Sequence, residues 1–110
     1  MTILRTIEIG EATKEAMEDW LKFLPYQQYA NIANELLRSS IEYNRGNLNY
    51  SRDHLYEALV LLSYTKAIDY SIELYYLYEL IAAQTITFDL IILTELYTWL
   101  EQEAYIRIRN

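Results

Sequence analysis

The sequence predicts an all-α fold, a compact antiparallel bundle of four or five helices forming one domain over residues 1–110. Apolar residues recur at the i, i+3, i+4 spacing of a helix from Glu11 to about residue 104. Residues that break helices are scarce, with two glycines and one proline in 110 residues. A chain of this length can bury a core that folds without disulfides or metals.

Two helices are expected in the first half of the chain. The first spans about 11–24 and is closed by Pro25. The second spans about 27–44 and ends in the turn 44–47, where Gly46 can supply a positive φ. The apolar faces contain Met17, Trp20, Leu21 and Leu24 in the first helix, and Tyr29, Ile32, Ala33, Leu36 and Ser40 in the second.

The helical pattern that starts near Asn49 or Ser51 continues to Gln84, which leaves two interpretations. One is a single rod of roughly 34 residues, longer than most globular helices. The other is a break near 66–69, where the apolar pattern thins. A weak internal repeat at an offset of 38 residues favours the break, since Glu35-Leu36 matches Glu73-Leu74. The chain would then be a short first helix followed by two helical hairpins, about 27–66 and 67–104.

The last helix is expected over about 87–104, with Thr85 or Thr87 as its cap and Asp89 in its first turn. Residues 6–9 and 105–109 alternate apolar with charged side chains at a strand period, and their charges are opposite. We therefore consider a minor β-pairing of the termini. The alternative is a frayed N-terminus and a last helix that continues to the end of the chain.

Composition restricts the chemistry. There is no cysteine and one histidine, His54, so disulfides, thiolate metal sites and a di-iron bundle are excluded. Asp53, His54 and Glu57 form a local polar cluster, but acids in a first helical turn ordinarily serve as dipole partners. We expect no enzyme, no cofactor and no metal. Without a signal peptide or an apolar run long enough for a membrane span, the expected location is the cytoplasm.

The negative charge is concentrated in one segment. Of the 16 acidic residues, seven lie within residues 67–106, which contain no Lys or Arg, while the remaining nine are matched by nine bases elsewhere. The sign argues against direct nucleic-acid binding and favours a cationic protein partner. The alternative is an acidic face that only maintains solubility.

Tyrosine is the most unusual component, with twelve in the chain. On a helical wheel for residues 68–84, one broad apolar face reads as core and consists of Tyr70, Leu74, Leu77, Tyr78 and Ile81. A second strip remains on the other flank and contains Ile72, Tyr75, Tyr76, Glu79 and Ala83. This helix is therefore either central and covered on all sides by its own chain, or docked against another molecule.

The resulting functional prediction is a small protein–protein interaction or regulatory module that forms a homodimer through its tyrosine-rich helix. The predicted partner-binding residues are Ile72, Glu73, Tyr75, Tyr76 and Glu79. One alternative is an acidic stoichiometric inhibitor, of the immunity type, that blocks a basic nucleic-acid-binding site on an enzyme. Another is a structural subunit of a viral or phage assembly.

Overall fold

The all-α prediction is confirmed by the computed structural model of the protein, which describes residues 10–67, 69 and 71–109. These residues contain no strand. They form five helices: α1 Gly10–Trp20, α2 Pro25–Asn44, α3 Leu48–Lys66, α4 Ile72–Gln84 and α5 Leu90–Arg109.

Pro25 begins α2 and does not close α1, which ends at Trp20, four residues before its predicted end. Proline suits the first helical position because the amide it lacks would have no partner there, and Leu24 before it is extended. The Gln27 side chain accepts a hydrogen bond from the Leu24 amide at 2.9 Å, which fixes the start of the helix.

The predicted break in the tyrosine-rich segment is confirmed, with α3 ending at Lys66 and α4 starting at Ile72. Asp69 stabilises this connection, since its Oδ1 accepts the Ser71 amide at 3.0 Å while Ser71 is extended. The α2–α3 turn also forms as expected, with Gly46 at a φ of 81°. An L side chain would be strained there.

The cap of α5 is Asp89 rather than Thr85 or Thr87. Its Oδ1 accepts the amides of Ile91 and Ile92 at 3.0 and 3.3 Å. Gln84 Oε1 in turn accepts the Asp89 amide at 2.6 Å. The helix starts after Asp89 because this carboxylate accepts two amide hydrogen bonds from the first turn. Its negative charge also interacts favourably with the helix dipole.

The strand considered for residues 105–109 does not form. The alternative expectation, a last helix that continues through this segment, is the one observed, because α5 continues to Arg109. Residues 6–9, the other half of the proposed ribbon, lie outside the described residues. Helix persists here because Arg107 has partners on the core side. Its guanidinium lies 4.1 Å from the centre of the Tyr29 ring and 3.9 Å from Asp69 Oδ2, and it hydrogen-bonds Glu103 one turn earlier.

Helix α2 is the centre of the fold and packs extensively against α3 and α5. Helix α4 packs on α3, and α1 also contacts α3. In contrast, α4 and α5 share few contacts, so the two predicted hairpins are not equivalent. The fully buried core includes Tyr29, Ile32, Ala33, Leu36, Leu55, Leu62, Leu74, Ile81, Leu93 and Leu100.

Two polar clusters join α2 and α3 inside the fold. Ser39 and Ser51 each donate to the other's backbone carbonyl at 2.8 Å, which small side chains allow at close helix separation. Nearer the other end of the pair, Trp20 Nε1 donates to Thr65 Oγ1, which donates to Gln28 Oε1, both at 2.9 Å. Buried polar atoms with partners avoid the desolvation cost that they would otherwise impose.

Candidate partner-binding surface

The outward face of α4 consists of Ile72, Tyr75, Tyr76, Glu79 and Ala83, and all five are exposed. The exposed fractions of the three large apolar residues are 62% for Ile72, 57% for Tyr75 and 63% for Tyr76. The opposite face, with Leu74, Leu77 and Ile81, is buried as predicted. Tyr78 is half-buried, and Tyr70 lies outside the described residues.

The alternative in which α4 is a central helix covered on all sides is wrong for the described part of the chain. The helix with the most extensive contacts is α2, which packs against both α3 and α5 and whose Tyr29 is 1% exposed. Helix α4 is peripheral and packs on α3 alone to any extent. The remaining apolar side chains of α4 therefore face outward. They are not buried within the described fold and so add no hydrophobic stabilisation to it.

A groove runs between α4 and α5, where the two helices share few contacts. Its volume is about 270 Å³. Leu77 and Leu96 are buried and form its base. The other lining residues are Tyr76, Leu80 and Trp99, which are apolar or aromatic, and the acids Glu73 and Glu95. The α4–α5 groove thus combines an aromatic wall with a carboxylate on each helix.

The structure brings together two of the five predicted residues, Glu73 and Tyr76, in this groove. Leu80 and Trp99, which also line the groove, were not predicted from the sequence as partner-binding residues. Leu80 follows Tyr76 by one turn and is 44% exposed, so the i+4 relation was a usable signal. Trp99 was not recognisable as a groove residue, because nothing in the sequence shows that α4 and α5 stay apart.

Tyr75 occupies the other flank of α4, beside α3. The Lys66 ammonium lies 4.0 Å from the centre of the Tyr75 ring and 4.4 Å from that of Tyr78. A cation over an aromatic face is attracted by the ring quadrupole. Lys66 therefore ties α4 to the end of α3, and Tyr75 belongs partly to the fold while Tyr76 faces the groove.

The acids of this surface form no ion pair with another described residue. Among the ion pairs of the described residues, none involves Glu73, Glu79 or Glu95. The chain has no Lys or Arg from residue 67 to residue 106. Arg38 and Arg45 form ion pairs within α2, with Glu35 and Glu42 at 2.8 and 3.2 Å, and do not reach the acidic segment.

His54 belongs to a different cluster from the one the sequence suggested. Its Nδ1 lies 2.8 Å from Glu35 Oε2, and Arg38 binds the other oxygen of the same carboxylate. Glu35 on α2 thus contacts Arg38 on its own helix and His54 on α3, and Glu57 on α3 is exposed. The contact was foreseeable from the hairpin register, since residues about equally far from Arg45 meet across the turn, as Ser39 and Ser51 do.

The described residues contain no group of three or more His, Asp or Glu side chains arranged to hold a metal ion. None of their helices has the length and apolar character that a membrane crossing requires.

Comparison with known proteins adds no relative. Neither a known protein family, nor a curated protein, nor a solved structure is detectably similar to this chain.

Proposed function

We propose that the protein is a protein–protein interaction or regulatory module that works without a cofactor and binds its partner through the outward face of α4 and the α4–α5 groove. The observation that carries this is the exposure of Ile72, Tyr75 and Tyr76, each more than half exposed, on a helix whose other face is fully packed. Contiguous exposed apolar patches on small proteins commonly mark interaction sites.

The residue types suit such a role. Tyrosine and tryptophan supply large contact areas and still offer a hydrogen bond, and they are enriched among residues that dominate binding energy. In the proposed arrangement, helices α2 to α5 are antiparallel neighbours joined by short turns. These turns fix the orientation of α4 relative to α5, and the outward face of α4 takes no part in this packing.

Self-association is the first form of this function. Two copies meeting through α4 would bury Ile72, Tyr75 and Tyr76 against their counterparts. A twofold contact places the same patch on both sides, so Glu73 and Glu79 of the two copies would also approach one another. Such a dimer should become tighter when salt screens the repulsion between its carboxylates.

An acidic inhibitor is the second candidate, and the unpaired carboxylates of the groove specifically favour it. Glu73 and Glu95 lie on two different helices and could occupy a basic site on a nucleic-acid enzyme. Binding of this kind should weaken with salt, the opposite of the dimer.

A paired experiment tests the proposed function. Sedimentation of the purified chain and capture of partners from the native host are each performed at about 50 and about 300 mM salt, where screening differs strongly. Tyr76→Ala should abolish either dimerisation or capture. Tyr50→Ala is the matched control, since Tyr50 on α3 is 64% exposed, almost the same as Tyr76. A monomer that captures nothing, or complexes that Tyr76→Ala leaves intact, would refute the proposal.

A further inference from the structure

We infer that the partner presents a basic amphipathic helix, whose apolar side chains enter the α4–α5 groove and whose Lys or Arg side chains pair with Glu73 and Glu95. This inference rests on the proposed function and specifies the chemistry of the partner. It commits to a protein segment other than a second copy of this chain.

The shape of the groove fits one side of a helix. Two helices that contact each other sparsely leave a channel between them, and a third helix can place one apolar stripe in such a channel. The base, Leu77 and Leu96, is already buried, while Tyr76 and Leu80 are 63% and 44% exposed and remain available. A volume of about 270 Å³ suits a few side chains of a larger partner.

The charges of the groove select a cation. Its lining contains two carboxylates and no base. A partner that covers the groove removes water from Glu73 and Glu95, and a carboxylate that loses water without gaining a cation or donor is strongly destabilised. Neither acid has an ion-pair partner among the described residues, so we expect the partner to supply the compensating charge.

Helix α4 already shows how it receives a cation. The Lys66 ammonium lies over the Tyr75 and Tyr78 rings at 4.0 and 4.4 Å, with its charge against their faces. The groove on the other flank offers the same elements, the rings of Tyr76 and Trp99, together with the carboxylates that the Lys66 site lacks. A basic side chain entering the groove would gain both kinds of contact.

A second copy of the chain fits this groove poorly. In a twofold contact, the carboxylates of one copy would face those of the other, and close like charges oppose association. The arginines Arg38 and Arg45 are paired within their own helix.

Three synthetic peptides test the inference with the full chain. The first is an amphipathic helix of Leu and Lys, the second replaces every Lys with Gln, and the third replaces every Lys with Glu. Binding is measured by fluorescence anisotropy of labelled peptide at about 50 and about 300 mM salt. The basic peptide should bind, with affinity that falls as salt rises, while the neutral peptide binds at least about tenfold more weakly and the acidic peptide does not bind.

Variants locate the site. Glu73→Gln with Glu95→Gln should reduce affinity for the basic peptide about tenfold, and Tyr76→Ala should do so independently. Glu57→Gln, at an exposed acid on α3, is the charge-matched control for Glu73→Gln and Glu95→Gln made singly, and Tyr50→Ala is the aromatic control. Both should bind as the unmodified chain does. Thermal unfolding monitored by circular dichroism establishes that every variant is folded.

Two results would overturn the inference and leave the proposed function standing: equal binding of the neutral and basic peptides with Tyr76→Ala still disruptive, or a dimer that tightens with salt and depends on Tyr76. Equal weakening by Glu57→Gln and by the groove variants would overturn it too, since binding would then follow net charge alone. Host complexes that Tyr76→Ala leaves intact would refute the proposed function itself, whatever the peptides do.

Discussion

Helices α2 and α4 use the same residue type in opposite ways. Tyr29 of α2 is 1% exposed, and its hydroxyl donates to Asp69 Oδ2 at 3.0 Å beneath the Arg107 guanidinium. Tyr76 of α4 is 63% exposed and lines an open groove. Tyr29 stabilises the fold through burial and a hydrogen bond, whereas the side chain of Tyr76 remains largely in contact with solvent.

The difference shows that apolar content does not decide which helix is central. A larger fraction of α4 than of α2 is apolar, yet it is α2 that packs between α3 and α5. α2 can be approached closely because Ala33 and Ser39 are small and fully buried, and its polar core residues find partners on α3. Among the described residues α4 packs extensively only on α3 and sparsely on α5, so its additional apolar residues stay exposed.

The largest expected contrast separates two isoleucines. Ile32→Ala in α2 should lower the free energy of unfolding by about 2–5 kcal/mol, because it leaves a cavity in the core. Ile72→Ala on the outward face of α4 should change it by no more than about 0.5 kcal/mol. Urea unfolding followed by circular dichroism measures both. Similar losses would mean that α4 is packed in solution.

Thr65→Val tests the buried hydrogen bonds by which Thr65 on α3 contacts Gln28 on α2 and Trp20. Valine keeps the volume but leaves the indole N–H of Trp20 and the Gln28 carbonyl oxygen without the threonine hydroxyl. A loss of about 1–3 kcal/mol is expected from buried groups left unsatisfied. Thr98→Val, at an exposed position on α5, should be close to neutral and serves as the control. A neutral Thr65→Val would contradict the assigned network.

Tyr29→Phe should cost about 1.5 kcal/mol near pH 7, since it removes one hydrogen bond to a charged group. Burial, reinforced by Asp69, raises the pKa of Tyr29 above its ordinary value of 10.0. In the unfolded chain the phenol ionises near pH 10, so its contribution to stability is complete below that pH and declines above it. The difference between the two proteins should therefore shrink as pH rises beyond about 10. A constant difference up to pH 11 would contradict the burial of this hydroxyl.

The smallest effect is expected at Lys66→Gln, which removes the cation from the Tyr75 and Tyr78 rings. A loss of about 0.5–1 kcal/mol is expected for an exposed contact of this kind. Lys22→Gln is the control, because Lys22 forms only an exposed pair with Asp19. An unchanged midpoint of urea unfolding for Lys66→Gln would mean that Tyr75 contributes as little to the stability of the fold as Tyr76.

Local patterns predicted much of the fold. The helical class, the Gly46 turn and the break after Lys66 followed from periodicity and breakers, and the buried face of α4 followed from its wheel. The errors occurred where tertiary contacts decide. Arg107 keeps 105–109 helical through Tyr29 and Asp69, which are far away in sequence. Periodicity also could not show that α4 and α5 leave a groove with Trp99 in it, since it describes one helix at a time.

Site-specific photocrosslinking in the native host tests directly whether a partner contacts the outward face of α4 and the α4–α5 groove. A photoreactive phenylalanine analogue replaces Tyr76 in one version of the chain and Tyr50 in another, two positions of nearly equal exposure on different helices. We expect a discrete crosslinked product from position 76 and none from position 50. The yield of the product from position 76 should fall in the variant with Glu73→Gln and Glu95→Gln. Equal products from both positions, or a product from position 50 alone, would contradict it.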